Sequence, residues 1–322
     1  MSPAPLPSQA GFRPRESLGL LGVLALLVIV FGVFGRNFLD TATFHQIANQ
    51  VPALTVLSVG MTFVILTGGI DLSVGSVMAF AGSMLGLAMV DAKLPLVAAL
   101  PLAMLTGAMC GWVNGFLSVR FRVASFIVTL GMMQIARGLA YLATSSETRY
   151  IGKPVEALGT PLPGLGLSPA ILLAVLLVIA GQIVLRRTVF GRQVLVIGGN
   201  EEAAIYSGIR TRPVRLTVFV VAGALAGLAA AFDCARLGSV DPNAGSGIEL
   251  SAIAAVVVGG TSLLGGRGSV VGSFLGVLII STLGAGLANL GASDPVKLLV
   301  TGLVIIVAAV TDVWRDRGRR IL

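Results

Sequence analysis

Residues 198–209 read Gly198-Gly199-Asn200-Glu201-Glu202-Ala203-Ala204-Ile205-Tyr206-Ser207-Gly208-Ile209, with Arg186, Arg187 and Arg192 before them and Arg210, Arg212 and Arg215 after. This is the one long charged loop in a chain that otherwise reads as apolar spans, and that contrast decides the fold. An aqueous segment at 186–215 is set inside a membrane domain that covers 1–322. A loop of this kind offers a soluble partner something to grip, and through it an external motor could push on the spans.

Composition points the same way. Apolar residues make up 56% of the chain and charged residues 11%, with a mean hydropathy of +0.97. A soluble domain carries about 25% charged residues, so an ordinary water-soluble fold is excluded and lipid is the expected surrounding. The net charge is +8. The basic residues sit between apolar runs and do not stripe one folded surface, so membrane orientation accounts for them and no nucleic-acid partner is expected. Cys110 and Cys234 both fall within apolar spans and read as small core residues, not as a disulfide. His45 is the only histidine, which argues against a zinc site or a histidine-based triad; no metal and no cofactor are expected.

A helix crossing the hydrocarbon core needs about 20 mainly apolar residues. The template predicts an all-α polytopic membrane protein of about ten spans: 18–34, 51–66, 74–90, 95–119, 124–142, 168–185, 216–234, 251–264, 270–290 and 296–310. The first span has basic residues ahead of it, Arg13 and Arg15, but no small-x-small cleavage site after it, so it is expected to stay attached. Lys and Arg accumulate on the cytoplasmic side. With both termini inside, fifteen of them fall on inner segments and six on outer ones. The inner set includes Arg13, Arg15, Arg120, Arg122, the six of the 186–215 loop, Arg267, Arg315, Arg317, Arg319 and Arg320. The outer set is Arg36, Lys93, Arg149, Lys153, Arg236 and Lys297. The eighth span is short and interrupted by Gly259-Gly260, but dropping it would put the C-terminal arginines outside.

Ionisable residues within membrane spans are costly and default to functional hypotheses. Here they are Asp71, Arg137, Asp233 and, near an end, Glu249. Ion-coupled carriers use clusters of buried carboxylates, and this chain has none, so its driving energy is expected to come from elsewhere. Asp71 lies in a glycine-rich junction between the second and third spans that includes Gly68, Gly69, Ser73, Gly75 and Ser76. It reads either as a helix cap or as part of an inner gate. A second junction, Gly259 to Ser269, follows the eighth span, and interrupted apolar segments mark transporter pathways. Asn114, Gln134, Gln182 and Asn289 are polar groups inside spans that either line a path or bond between helices. Val194 to Gly199 lacks G-x-G-x-x-G, and neither glycine-rich junction ends in Gly-Lys-Ser/Thr, so the chain is not expected to bind ATP itself.

The run Gly60-Met61-Thr62-Phe63-Val64-Ile65-Leu66 through Ser76 resembles the signature of the ribose-type sugar permeases, the membrane subunits of bacterial ABC importers. Ala252-Ile253-Ala254-Ala255-Val256-Val257-Val258-Gly259-Gly260-Thr261 and Gly198 to Ala204 resemble that family too, and the likeness runs in order over nearly the whole chain. It implies an inner-membrane permease that pairs with a second copy or a paralogue, two cytoplasmic ABC ATPases that bind the ATP, and a periplasmic sugar-binding protein. The loop is similar to the Glu-Ala-Ala coupling motif of such permeases. Carried over by position, Asn200, Glu201, Glu202, Ala203, Ala204 and Gly208 would form a short helix that docks on the ATPase. The two glutamates suit a helix start, the alanines a smooth face, and Gly208 a helix end. On the mechanism expected from the missing carboxylates and the charged loop, the loaded binding protein docks outside on loops such as 144–167 and 236–249. A branched-chain amino-acid permease is the neighbouring alternative, which Gly69-Ile70-Asp71-Leu72-Ser73-Val74-Gly75-Ser76 disfavours. An ion-coupled carrier or a multispan membrane enzyme is the more distant one.

Overall fold

The computed structural model describes residues 14–35 and 37–320, with side chains described for 18–308, apart from Arg36, and for Val310. Arg13 and Arg36 of the orientation argument lie outside the described residues, as do the side chains of Arg15, Arg315, Arg317, Arg319 and Arg320. In chain order the helices are α1 (Pro14–Phe34), α2 (Thr41–Gln50), α3 (Pro52–Leu66), α4 (Val74–Gly86), α5 (Leu96–Phe121), α6 (Ser125–Thr144), α7 (Lys153–Glu156) and α8 (Pro169–Arg187). They continue as α9 (Val189–Gly199), α10 (Glu201–Tyr206), α11 (Thr211–Leu237), α12 (Ile248–Val258), α13 (Val270–Asn289) and α14 (Asp294–Arg320). A π-helical turn, Leu87–Asp91, prolongs α4. Two short strands, β1 (Arg149–Tyr150) and β2 (Ser239–Val240), pair antiparallel with Arg149 opposite Val240.

Among the described residues, six helical segments are long and apolar enough to span a bilayer: α4 with its π turn, α5, α6, α8, α11 and α13. The α2–α3 pair, bent by 48°, makes a seventh if taken as one span. The other predicted spans coincide with helices that do not meet that length by themselves or extend past the described side chains. The predicted eighth span reached Leu264, but α12 has only 11 residues. It stops at Gly259-Gly260, where Gly260 takes φ +87°, a left-handed conformation that ends the ladder.

Every residue of α3 except Leu54 is buried, which makes this apolar helix the centre of the molecule. Around it, close packing follows small residues. Gly107, Gly111 and Gly115 recur every four positions on α5: Gly107 meets Gly223 and Gly227 of α11 and Gly111 meets Phe219 backbone to backbone, while Gly115 packs on Leu216 and Phe219. In lipid, where apolar contact with solvent drives nothing, such small-xxx-small seams supply the packing between helices. The same device joins α12 to α13, where Gly276 faces the Ala255 carbonyl and Gly272 faces that of Gly259.

The bundle has two distinct ends. At one, the β1–β2 ladder and the bonds of Ile151 and Gly152 N–H to the Gly238 carbonyl tie segment 144–167 to segment 236–249, and the Arg149–Asp91 ion pair at 2.6 Å ties 144–167 to the π turn after α4. At the other gather α9, α10 and both glycine-rich junctions.

Candidate functional site

The α9–α10 unit is built from its caps. Thr188 Oγ1 accepts the Gly191 N–H at 3.1 Å to start α9, and Asn200 Oδ1 accepts the Ala203 N–H at 2.9 Å to start α10. Glu201 and Glu202 fill the first turn of α10, where negative charge suits the helix dipole. Gly208 (φ +78°) closes it: its N–H bonds the Ile205 carbonyl at 2.9 Å and the Ile209 N–H bonds that of Ala204 at 3.0 Å, the left-handed ending that glycine permits.

The exposed face of α10 differs from the expected pair of alanines. Ala204 is fully buried against the rest of the chain, whereas Glu202 and Ala203 face outward and Ile205 and Tyr206 protrude at 55% and 90% exposure. Inward-turned Ala204 is what anchors the unit. The two protruding apolar side chains were missed, although an Ile-Tyr pair at the end of a charged loop is itself a signal.

Beneath α10, three glycine-bearing segments meet at their backbones. The Gly266 N–H donates to the Leu66 carbonyl at 2.9 Å, and Gly198 lies on top of both. A Cβ at 198 would overlap the Leu66 carbonyl oxygen and stand 2.5 Å from the Gly266 nitrogen, so no other residue fits without displacing backbone. Gly199 beside it has open space. A side chain repeats the link: Arg215 Nη2 lies 3.0 Å from Glu201 Oε2 and donates to the Thr67 carbonyl at 3.2 Å. The two junctions, separate in sequence, are therefore one structure, and the charged loop is seated on it.

The first junction is held by side chains. Ile70 N–H donates to Ser125 Oγ at 2.9 Å and Leu72 N–H to Thr129 Oγ1 at 3.1 Å. Ser73, the residue that enters α4, donates its N–H (2.9 Å) and its hydroxyl (2.6 Å) to Asp71 Oδ1. Asn114 Nδ2 in turn donates to Ser73 Oγ at 2.9 Å. Asp71 thus bonds the N–H of Ser73 rather than capping α4 as its own N-cap residue. Gly68 supplies a left-handed turn at φ +76°, Gly75 packs on Gly245 and Glu249, and Ser76 is buried. The second junction, Gly259 and Gly260 with the turn that follows, adds backbone contact with α13 to side-chain bonds: Arg186 Nη2 donates to the Gly268 carbonyl at 3.1 Å and Ser269 Oγ to Gln182 Oε1 at 3.3 Å, and Thr62 Oγ1 donates to Ser273 Oγ at 2.8 Å nearby.

The span-interior polar residues separate cleanly. Asn114 is 1% exposed and spent on the first junction. Gln182 Oε1 accepts the Val270 N–H at 3.0 Å, capping α13. Arg137 Nη1 donates to the Pro242 and Ala244 carbonyls at 2.5 and 2.9 Å, and Asp233 pairs with Arg236 at 3.0 Å. Gln134 is exposed.

A family model described as branched-chain amino acid transport system / permease component matches residues 43–309. The ribose import permease protein of Bacillus subtilis (strain 168) is 41% identical over 306 residues, spanning 92% of each chain. That of Escherichia coli (strain K12) is 37% identical over 304 residues, covering 92% of this chain and 93% of its own. The chain belongs to the ribose-type ABC import permeases. A fructose import permease protein of Rhizobium meliloti, 35% identical over 302 residues and covered over 84% of its length, shares the pattern. In this family ATP hydrolysis lies in a partner subunit, so the permease itself is a multi-pass membrane subunit whose task is the passage.

Proposed function

We propose that this permease moves a ribose-like monosaccharide across a bacterial inner membrane, as one of two permease subunits driven by cytoplasmic ABC ATPases and fed by a periplasmic sugar-binding protein. Sugar rather than branched-chain amino acid is favoured by the relatives, which are named for ribose and fructose import. The observation that carries the mechanism is the seating of Gly198 on the Leu66 carbonyl and Gly266. A unit gripped at Tyr206, Ile205 and Glu202 by a nucleotide-driven subunit has no slack at this contact. Movement of α10 passes straight into both junctions, where α3, α4, α12 and α13 begin or end. Those helices are then levered apart to open the path.

This reading puts 186–215 and both termini in the cytoplasm and the 144–167 and 236–249 segments outside, where the loaded binding protein docks. The chain needs no cofactor or metal of its own.

The test is reconstitution. Permease and ATPase in liposomes are expected to take up labelled ribose only with ATP and the binding protein. Uptake by the permease alone on a proton gradient would refute the proposal. Labelling of Tyr206→Cys from the cytoplasmic side only is expected in intact cells; labelling from outside would overturn the orientation.

A further inference from the structure

Four side-chain amides lie inside the spans predicted from the sequence, and three have internal partners: Asn114 bonds Ser73, Gln182 caps α13, and Asn289 makes an interaction of its own. Gln134 is the fourth. Among the described residues it has no hydrogen-bond partner, it is exposed, and it sits half-way along α6, on the order of 14 Å from either end at 1.5 Å per residue. A primary amide at that depth facing hydrocarbon leaves four hydrogen-bonding sites empty, a cost of several kcal/mol. Polar side chains within spans face water-filled cavities or protein for this reason.

The face that carries Gln134 has further features. Gly131 and Gly138, three and four residues away, lie on the same stripe with open space where a side chain would stand. One turn beyond, Tyr141 donates its hydroxyl to Asn243 Oδ1 at 2.5 Å, and Arg137 holds the Pro242 and Ala244 carbonyls. Segment 241–247 is thereby pinned against the outer half of α6, and the polar groups run on from Gln134 toward the end of the molecule that carries β1 and β2. Of the charges near this line, Arg137 keeps its charge while two carbonyls solvate it, Asp233 pairs with Arg236, and the Asp241 carboxylate accepts from Asn243. On the outward line of α6 itself Gln134 and the Tyr141 hydroxyl are uncharged, able to donate and accept, and flanked by open glycines and by exposed Leu130, Ile135 and Leu142, a mixed polar and apolar surface that suits a neutral polyhydroxylated solute.

We propose that the Gly131, Gln134, Gly138 and Tyr141 face of α6 lines the water-filled passage, and that the Gln134 amide hydrogen-bonds the hydroxyls of the passing solute. This rests on the sugar-import reading above for the identity of the solute, but not for the passage itself.

The experiment uses the assembled importer in membranes, in a background with Cys110 and Cys234 replaced by alanine. Gln134→Cys and Gly131→Cys are probed with a charged, membrane-impermeant methanethiosulfonate reagent against Met109→Cys, an exposed residue of α5 on another face. Labelling at 134 and 131 about tenfold or more faster than at 109, and slowed by saturating ribose, is expected from a hydrated surface. Gln134→Leu is expected to lower transport about tenfold for a solute that loses one hydrogen bond, with ATPase stimulation intact. Absence of labelling at both positions in a transporting complex would overturn the proposal, as would a 134–134 cross-link between two copies without reagent access, the mark of a dry seam. Labelling that no sugar slows, in an importer carrying some other solute, upholds the passage and overturns the sugar reading.

Discussion

The two glycine-rich junctions meet under Gly198 yet differ in what dominates their hold. Residues 67–73 are wired by side chains: Asp71 to Ser73, Ser73 to Asn114, and the Ile70 and Leu72 amides to Ser125 and Thr129. Residues 259–269 also take side-chain bonds, from Arg186 and to Gln182, but add close backbone contact of Gly259 with Gly272, and α12 and α13 meet again at Ala255 and Gly276. Hydrogen bonds exchange partners at little net cost, about 1 kcal/mol each, whereas backbone at van der Waals contact has no alternative arrangement of similar energy. Within the proposed mechanism we assign the first junction as a latch that opens and the second, with its closer backbone packing on α13, as the seat against which it opens.

The largest effect is expected where both are touched. Gly198→Val forces a branched side chain into the Leu66 carbonyl and the Gly266 amide, and overpacking of this kind costs about 1–3 kcal/mol or more. Transport should fall more than about tenfold, with ATP hydrolysis no longer tied to uptake, while Gly199→Ala, which meets open space, should behave as the parent. Paired measurements of uptake and hydrolysis in liposomes check this. Equal effects at 198 and 199 would remove the contact from the mechanism.

Next comes the seat. Gly276→Val pushes against the Ala255 carbonyl and is expected to destabilise by about 2–3 kcal/mol, read as a lower midpoint of thermal unfolding in detergent. Transport per folded molecule should change little. The latch should show the reverse pattern: Asn114→Leu removes one buried hydrogen bond, worth about 1 kcal/mol. It should leave the unfolding midpoint nearly in place while raising ATP hydrolysis without substrate. If Asn114→Leu unfolds the protein and Gly276→Val uncouples it, the two assignments are the wrong way round.

Much of this was legible in the chain. Apolar runs located the helices because lipid demands them, and the resemblance carried a short helix onto Asn200 to Gly208, with which the two glutamates at its start and Gly208 at its end agree chemically. The meeting of residues 66, 198 and 266 was not legible, since nothing in three separated glycine pairs says which backbone each will touch. The i, i+4 spacing of Gly107, Gly111 and Gly115 was a readable signal of the α5–α11 seam. The inward turn of Ala204 was hidden for another reason: α10 is a six-residue helix, too short for periodicity to fix which side faces the protein.

The smallest effect is expected at Arg215, the side-chain copy of the Gly198 contact. Its ion pair with Glu201 is about one-third exposed on each side, and such pairs contribute about 0.2–1 kcal/mol once solvent screens them. Glu201→Gln removes the charge from the pair and leaves the Arg215 bond to the Thr67 carbonyl, so stability should hardly move. Arg215→Ala removes both links at once. If the guanidinium only decorates the contact, the two variants should couple ATP to uptake equally well. If it carries motion from α10 to the latch, Arg215→Ala should lose coupling about two- to fivefold more than Glu201→Gln, and the excess should persist in high salt, because the bond to a neutral carbonyl is not screened as the ion pair is.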